Sequence, residues 1–320
     1  LSNYKYLQPA NTPFNDRFTT KAADIIETWD GIETLKGVGL LGAPLSKPSI
    51  SHSGAVFAPG TIRKALQVFS TYSIEADIDL ADWNFYDLGD VKMHVTNITE
   101  SQTRIYKTFS RIFSEEPNFL PIVLGGDNSI TFPSIQAFAK AKGKVGVIQF
   151  DAHHDVRNLE DGGPTNGTPF RSLLETKSIE GKHLVQVGIR DFSNSKIYRE
   201  YCEEHGVSIY TMKDVRQRAL LEIMEESIDL MKNEVDAIYV SLDMDVIDQS
   251  QAPGCPAIGP GGMDTSSLFE AIAFLGEQSL VKGLEIVEID PTVDFRDMTS
   301  RVAAHVILNF LKGKQKGSIR

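Results

Sequence analysis

Two short stretches of this 320-residue chain gather more metal-binding and acid–base groups than a purely structural element can use. Residues 145–155 read VGVIQFDAHHD. Val145, Val147, Ile148 and Phe150 form an apolar run of the kind that a parallel sheet buries on both faces. Asp151, His153, His154 and Asp155 follow within five residues. Residues 237–245 read AIYVSLDMD, a second apolar run, ending in Asp243 and Asp245. Alternate residues of an extended segment share a face, so Asp151 with His153, and Asp243 with Asp245, project as pairs. Carboxylate oxygen and neutral imidazole nitrogen are the usual ligands of divalent first-row ions. Buried carboxylates this dense repel one another and are costly to desolvate, and one or two divalent cations relieve both problems. Either stretch alone is ordinary: most DxD sequences are turns or solvated loops, and a histidine after a strand is more often a hydrogen-bonded structural residue. Together they point to a metal site, with an acidic loop cluster or a nucleotide-edge site as the alternatives.

The composition is that of a globular protein, 41% hydrophobic and 23% charged, with a formal net charge of -11. That balance disfavours non-specific association with nucleic acid or an anionic membrane, and neither is expected as a partner. It leaves room for a small anionic substrate held by a local basic group. Two cysteines, Cys202 and Cys255, do not make a disulfide framework, and no apolar run reaches transmembrane length. The N-terminal residues lack the basic-then-apolar plan of a signal peptide, so a cytoplasmic location is expected.

The elements that must position these side chains alternate. Strands are expected at 38–43, 84–88, 121–124, 145–150, 184–189, 207–210, 237–242 and 283–289. Helices are expected at 19–29, 61–69, 100–114, from 129 to 141, and at 170–176, 196–205, 220–232, 265–275 and 299–312. Residues 1–16, with Pro9 and Pro13, read as irregular. The strand–helix rhythm implies an α/β fold: one parallel eight-stranded sheet with helices on both faces, in a single domain over 1–320 whose first 34 residues form an extension and helix. A closed eight-stranded barrel has the same rhythm and is the rival architecture. In the loop after residue 124, Gly125 and Gly126 allow a close backbone approach, and Asp127 or Ser129 can cap the next helix. The loop 158–169 directly follows the acid–histidine cluster, where α/β folds carry function.

GGDNSI at 125–130, DAHHD at 151–155, SLDMDVID at 241–248 and EIVEIDP at 285–291 resemble the four signature blocks of the ureohydrolase superfamily of arginases and agmatinases. The resemblance spans roughly residues 35–312. Residues 151–174 and 248–262 look most like the formimidoylglutamase branch. The resemblance implies an open arginase-like sheet rather than a barrel. It also implies two Mn2+ per chain, bridged by Asp151 and Asp243, with His153 and Asp245 on one ion and Asp155 on the other. Most members place a histidine on that second ion where this chain has Asn128, a weaker donor that leaves the site prone to partial occupancy.

The implied reaction is hydrolysis of a linear amidine C–N bond by a water activated between the ions, with N-formimidoyl-L-glutamate giving L-glutamate and formamide. Asp155 would carry the proton to the leaving nitrogen, and Glu288 would orient the cationic nitrogens. Asn166 replaces a family histidine that assists proton transfer. Arg157 replaces an asparagine that contacts the substrate's carboxylate, and a guanidinium there suits an anionic substrate. A surface ion pair is the alternative for Arg157. Arg190, and less so Arg171, are further candidates for a carboxylate contact; Cys255 is a candidate for the pocket mouth, and His52 for the pocket or the surface. His154 carries no implied ligand role. A guanidino-acid hydrolase and an inactive, metal-poor homologue are the competing readings, the latter motivated by Asn128 and Asn166. Family members often assemble as trimers or hexamers, so a homo-oligomer is expected.

Overall fold

The structure, a computed structural model, describes residues 6–8, 12, 14 and 16–318. Pro9, Pro13 and most of the expected irregular segment 1–16 lie outside the described residues. The strands of the main sheet are β1 (Ile26–Thr28), β2 (Val38–Ala43), β3 (Phe85–Asp90), β4 (Leu120–Gly125), β5 (Val145–Phe150), β6 (Leu184–Ile189), β7 (Ser208–Thr211), β8 (Ala237–Asp243) and β9 (Val281–Val287). They lie in the order β1-β3-β2-β4-β9-β8-β5-β6-β7, and every neighbouring pair is parallel. The sheet is open, with β1 and β7 at its edges, so the barrel alternative is wrong.

The expected eight strands are all present, and β1 is a ninth. It occupies part of the expected helix 19–29, which instead forms a short 3-10 turn, Ala22–Ile25, followed by a strand. The reason is tertiary. Ile26, Glu27 and Thr28 pair in parallel register with Phe85, Tyr86 and Asp87, and that ladder overrides a helical pattern carried by few residues.

The helices are α1 (Ala58–Ala65), α2 (Ile98–Glu115), α3 (Thr131–Lys142), α4 (Pro169–Glu175), α5 (Lys196–Glu204), α6 (Met212–Gln217), α7 (Leu220–Met231), α8 (Thr265–Glu277) and α9 (Met298–Ser318). Alternation within the strands divides the core in two. On β5, Ile148 and Phe150 join a cluster with residues of α1, α7, α8 and α9. Val145 and Val147 join another with residues of α2, α3, α4 and α5. The sheet is therefore the middle of three layers, and its strands are apolar on both faces because both faces are covered.

Chain order breaks at the centre of this sheet. After β4 the chain crosses through α3, and β9 and β8 fill the two positions between β4 and β5. The carboxyl ends of these four neighbours lie side by side: Leu124 pairs with Ile286, Val287 with Asp243, and Leu242 with Phe150. A break in strand order of this kind leaves a crevice at the carboxyl edge, which is where open α/β sheets bind ligands.

The turn leaving β4 is fastened to the exit of β2. Gly126 donates to Ala43 O at 2.9 Å and Asp127 donates to Leu45 O at 2.7 Å. A side chain at position 126 would collide with the Leu45 carbonyl, so glycine is required there by proximity. Asp127 then accepts from Ser129 N at 2.9 Å and starts the 3-10 turn Asn128–Ile130 that runs into α3. Gly126→Ala should therefore lower the unfolding free energy by about 1–3 kcal/mol through a forced backbone shift. Urea titration followed by circular dichroism measures this; an unchanged midpoint would mean the turn is not tight.

Candidate metal centre

Each of the four central strands delivers at least one polar group to the carboxyl edge. From β5 come Asp151, His153 and Asp155; from β8, Asp243 and Asp245; from β4, Asn128; from β9, Glu288. Ligand atoms of Asp151, His153 and Asp245 lie within 4.8 Å of one another, and so do those of Asp151, Asp155 and Asp243. The two trios share Asp151. Backbone N–H groups fix most of these carboxylates. His153 N donates to Asp151 Oδ1 at 2.6 Å, Asp245 N to Asp243 Oδ1 at 2.9 Å, Ala152 N to Asp245 Oδ1 at 3.1 Å, and Asn128 N to Glu288 Oε1 at 2.7 Å. Asp155 and Glu288 both have left-handed backbones, with φ of 50° and 64°. Two non-glycine residues in that sparse region, both carboxylates aimed at one centre, are strain of the sort found at functional sites.

Asn128 is buried, and its Nδ2 faces the carboxylates, at 2.6 Å from Asp155 Oδ2 and 3.4 Å from both Asp151 Oδ2 and Asp243 Oδ2. Its Oδ1 instead accepts from Thr131 Oγ1 at 2.5 Å. The amide thus acts as a donor here, whereas ligation of an ion needs the oxygen. Asn166 donates from Nδ2 to Glu288 Oε1 at 3.1 Å and accepts from Ile50 N at 3.0 Å. It bridges the Glu288 carboxyl to the loop after β2.

Burial and crowding set the charges. Burial first, and then Asp245, raise Asp151 to about 6. Burial, reinforced by neighbouring carboxylates, raises Asp155 and Asp243 well above the usual carboxylate range. Burial, with Asp127 next, raises Glu288 to about 8. The Asp245 carboxylate, 2.9 Å from His153 Nδ1, is the main cause pushing that imidazole up to about 12. Burial is the largest influence on Asp245 and raises it, but His153 and the other partners outweigh it and leave Asp245 below its ordinary value. The site thus holds protons in proportion to the positive charge it lacks. Glu288 Oε2 is buried with no hydrogen-bond partner among the described residues. Hard oxygen donors with one imidazole, grouped in two trios around a shared carboxylate, fit a pair of divalent ions.

A cavity of about 340 Å³ opens above this floor. His153, Asp155, Asp243, Asp245 and Glu288 line it, together with Arg157, Asn166, Ser193 and Tyr198. Arg157 lies against Gly167, and its guanidinium has no hydrogen bond or ion pair among the described residues. The surface ion pair considered for it is not formed. Arg190 is not brought to this cavity. It is 7% exposed and its Nη2 is spent on the carbonyls of Asp245, Val246 and Ile247, where it clamps the turn after β8. Arg171 is likewise occupied by Val156 O, Glu175 and the Tyr201 ring. Cys255 is buried and does not line the cavity, though its neighbours Pro256 and Ala257 do. His52 is exposed and also lies outside it.

His154 also lines the cavity, with its ring held from behind. Its Nδ1 is 2.6 Å from Gln186 Oε1 and burial lowers its pKa. Gln186 in turn donates to Gln149 Oε1, and Gln149 donates to Asp151 Oδ2 at 2.8 Å. Sequence reasoning passed over these glutamines, although a polar residue in the middle of a buried apolar strand is itself a signal.

The chain belongs to the arginase family, whose model matches residues 36–312. Over 98% of its length it is 64% identical to a formimidoylglutamase of Halalkalibacterium halodurans, over 98% of that protein. It is 54% identical to a formimidoylglutamase of Bacillus subtilis, again over 98% of both chains. The crystal structure of the latter superposes with a TM-score of 0.95, covering 98% of each chain. A Trypanosoma cruzi formiminoglutamase crystallised in oxidised form with Mn2+ is 25% identical, with a TM-score of 0.78 over 87% of this chain and 93% of that one.

The charge state yields a pH dependence for protein stripped of divalent ions. A carboxyl whose folded pKa is raised contributes stability that is complete below its unfolded value and is lost as pH rises through the folded value. Asp151, raised from 3.8 to about 6, and Glu288, raised from 4.5 to about 8, place the loss mainly between about pH 4 and pH 8. His153 acts in the same direction, its contribution declining from the ordinary imidazole value of 6.5 up to about pH 12. EDTA-treated protein should therefore melt at a lower temperature at pH 8.5 than at pH 6, and excess Mn2+ should reduce the difference. Scanning fluorimetry at the two pH values tests this; a higher melting temperature at pH 8.5 in EDTA would contradict the charge assignment.

Proposed function

We propose that this protein hydrolyses N-formimidoyl-L-glutamate to L-glutamate and formamide with two manganese ions. The observation that carries the reading is Arg157: an unpaired guanidinium lining the same cavity as the two carboxylate trios and Glu288. Among the described residues it is the one Lys or Arg that lines the cavity. An agmatine-like cation would meet it with like charge, and an amino dicarboxylate would meet it with a bidentate acceptor. Near full-length similarity to formimidoylglutamases supports the same substrate, and the Trypanosoma cruzi neighbour supports manganese.

In this reading Asp151 and Asp243 would contact both ions, His153 and Asp245 one, and Asp155 and Asn128 the other. The ions, when bound, supply Lewis acidity that makes hydroxide available near neutral pH. The chain's own residues do the rest. Arg157 anchors a carboxylate and sets the distance from the amino acid end to the carboxylate floor. Glu288 holds the amidine nitrogens by hydrogen bonds and charge, and Asn166 and Asn128 N–H fix Glu288 in turn. Asp155 receives the proton released by the attacking water and returns it to the glutamate nitrogen. The water oxygen bonds to the formimidoyl carbon, the bond from that carbon to the glutamate nitrogen breaks, and formamide leaves. Asn166 cannot transfer a proton, so Asp155 carries that duty alone. A metal-poor binding protein would have little use for this many buried acids. The reading takes the whole chain as one catalytic domain, assembled as a homo-oligomer of the cytoplasm. No helix among the described residues is long and apolar enough to cross a membrane, and both cysteines are free and buried.

Manganese-loaded enzyme should release glutamate and formamide from formimidoylglutamate and little urea from arginine, agmatine or guanidinobutyrate. Arg157→Ala should reduce kcat/KM by roughly 100-fold or more, mainly through KM, and Arg157→Lys should restore only part of it. Urea from guanidinobutyrate as the dominant product would replace the substrate and keep the site.

A further inference from the structure

Asn128 faces a problem that a histidine at the same position would not. An amide presents either its oxygen or its nitrogen, and only the oxygen ligates a cation. What decides between them lies on the far side of the amide. Thr131 Oγ1 donates to Asn128 Oδ1 at 2.5 Å, and the same hydroxyl lies beside the Glu285 carboxylate, close enough to act on its charge. Asn128 and Thr131 stand three residues apart on the turn that opens α3, so both face the same way. Glu285 is an acid in the middle of β9, 0% exposed. Ser241 Oγ donates to its Oε1 at 2.7 Å and Tyr239 OH to its Oε2 at 3.2 Å. The reaction described above gives this buried acid nothing to do.

The Thr131 hydroxyl has one proton and cannot serve both neighbours. Donated to Asn128 Oδ1, it holds the amide nitrogen toward Asp155, Asp151 and Asp243, which is the arrangement described above. Donated to Glu285, it leaves a lone pair on Oγ1 that can accept only from Asn128 Nδ2. The amide must then be turned over, with its oxygen toward the cation. A half-turn about the last side-chain torsion of Asn128 and rotation of one hydroxyl interconvert the two, with no backbone movement. We propose that Glu285, acting through Thr131, is a positioning residue that turns the Asn128 amide oxygen toward the ion held by Asp155. A buried acceptor for the threonine proton is what makes an asparagine serviceable where an imidazole would need no such choice. The proposal rests on the reading of Asn128 as a ligand.

The test is Mn2+ binding to EDTA-stripped protein, by calorimetry and by the free-ion EPR signal. The wild type should bind two ions. Thr131→Val keeps the branched shape and removes the hydroxyl, and should weaken one of the two ions by roughly 10- to 100-fold while leaving the other, at Asp151, His153 and Asp245, unchanged. Thr131→Ser should restore wild-type binding. Glu285→Gln should also weaken the same single ion, and serves if Thr131→Val fails to fold. Wild-type affinity for both ions in Thr131→Val or Glu285→Gln overturns the proposal. So does equal weakening of both ions, or a Thr131→Ser variant as impaired as Thr131→Val, since either is what simple core damage would give. Asn128→Ala separates the proposal from the reading beneath it: two ions bound as in wild type would show that Asn128 is not a ligand, and both would fall.

Discussion

The repulsion among Asp151, Asp155, Asp243, Asp245 and Glu288, crowded at one edge of a sheet and all but Asp155 buried, is the constraint that the rest of the structure answers. Carboxylates in such a place must be protonated, paired or bound to a cation, and Glu288 Oε2 has no partner among the described residues. The fold does not relieve the repulsion; it aims it. Backbone N–H groups occupy one oxygen of Asp151, Asp243, Asp245 and Glu288, which leaves the other oxygens to converge. The left-handed backbones of Asp155 and Glu288 turn their carboxyls inward at a cost that a better-relaxed loop would not incur. A sheet whose four central strands all end at one level is the scaffold that can deliver these groups from distant parts of the chain.

Much of this was legible in the sequence because the chemistry-bearing residues cluster at strand ends, where a short apolar run announces the strand and its sudden polarity announces the site. Asp151 with His153, and Asp243 with Asp245, could be paired from strand alternation alone, whereas the place of Asp155 came from the family resemblance. The strand–helix rhythm likewise carried the sheet, its parallel sense and its two covered faces. Three kinds of information were not legible. β1 is three residues long and exists only through its pairing with β3, so local pattern misread it as helix. Arg190 looked like a substrate contact from its place after β6, whereas only the tertiary structure shows its guanidinium clamping three carbonyls of the turn after β8. Finally, Gln149, Gln186 and Glu285 each break an apolar strand by one residue. In sequence that is a minor blemish, yet in three dimensions they form the polar layer beneath the site.

The division of labour around the cavity also separates the conserving part of the site from the discriminating part. The carboxylate floor is set by strand ends and serves any hydrolysis in which two cations activate water. Arg157 and Asn166 come from the loop 156–168, and Ser193 and Tyr198 from the segment after β6. These segments can change without disturbing the sheet, so on the proposed reading substrate choice and hydrolytic chemistry would be held by structurally separable parts.

Asn128 and Glu288 are 160 residues apart and meet at one hydrogen bond, with Asp151 and Asp243 between them in sequence. On the proposed reading, a cation held jointly by segments so remote would be a cross-link as much as a catalyst. It closes loops on the order of a hundred residues, whose closure entropy is large and grows only slowly with further length. Its ligands do not come together until β4, β5, β8 and β9 are already side by side, so the ion cannot guide the early collapse of the chain. On that reading it would lock a sheet that has assembled and slow the separation of those four strands.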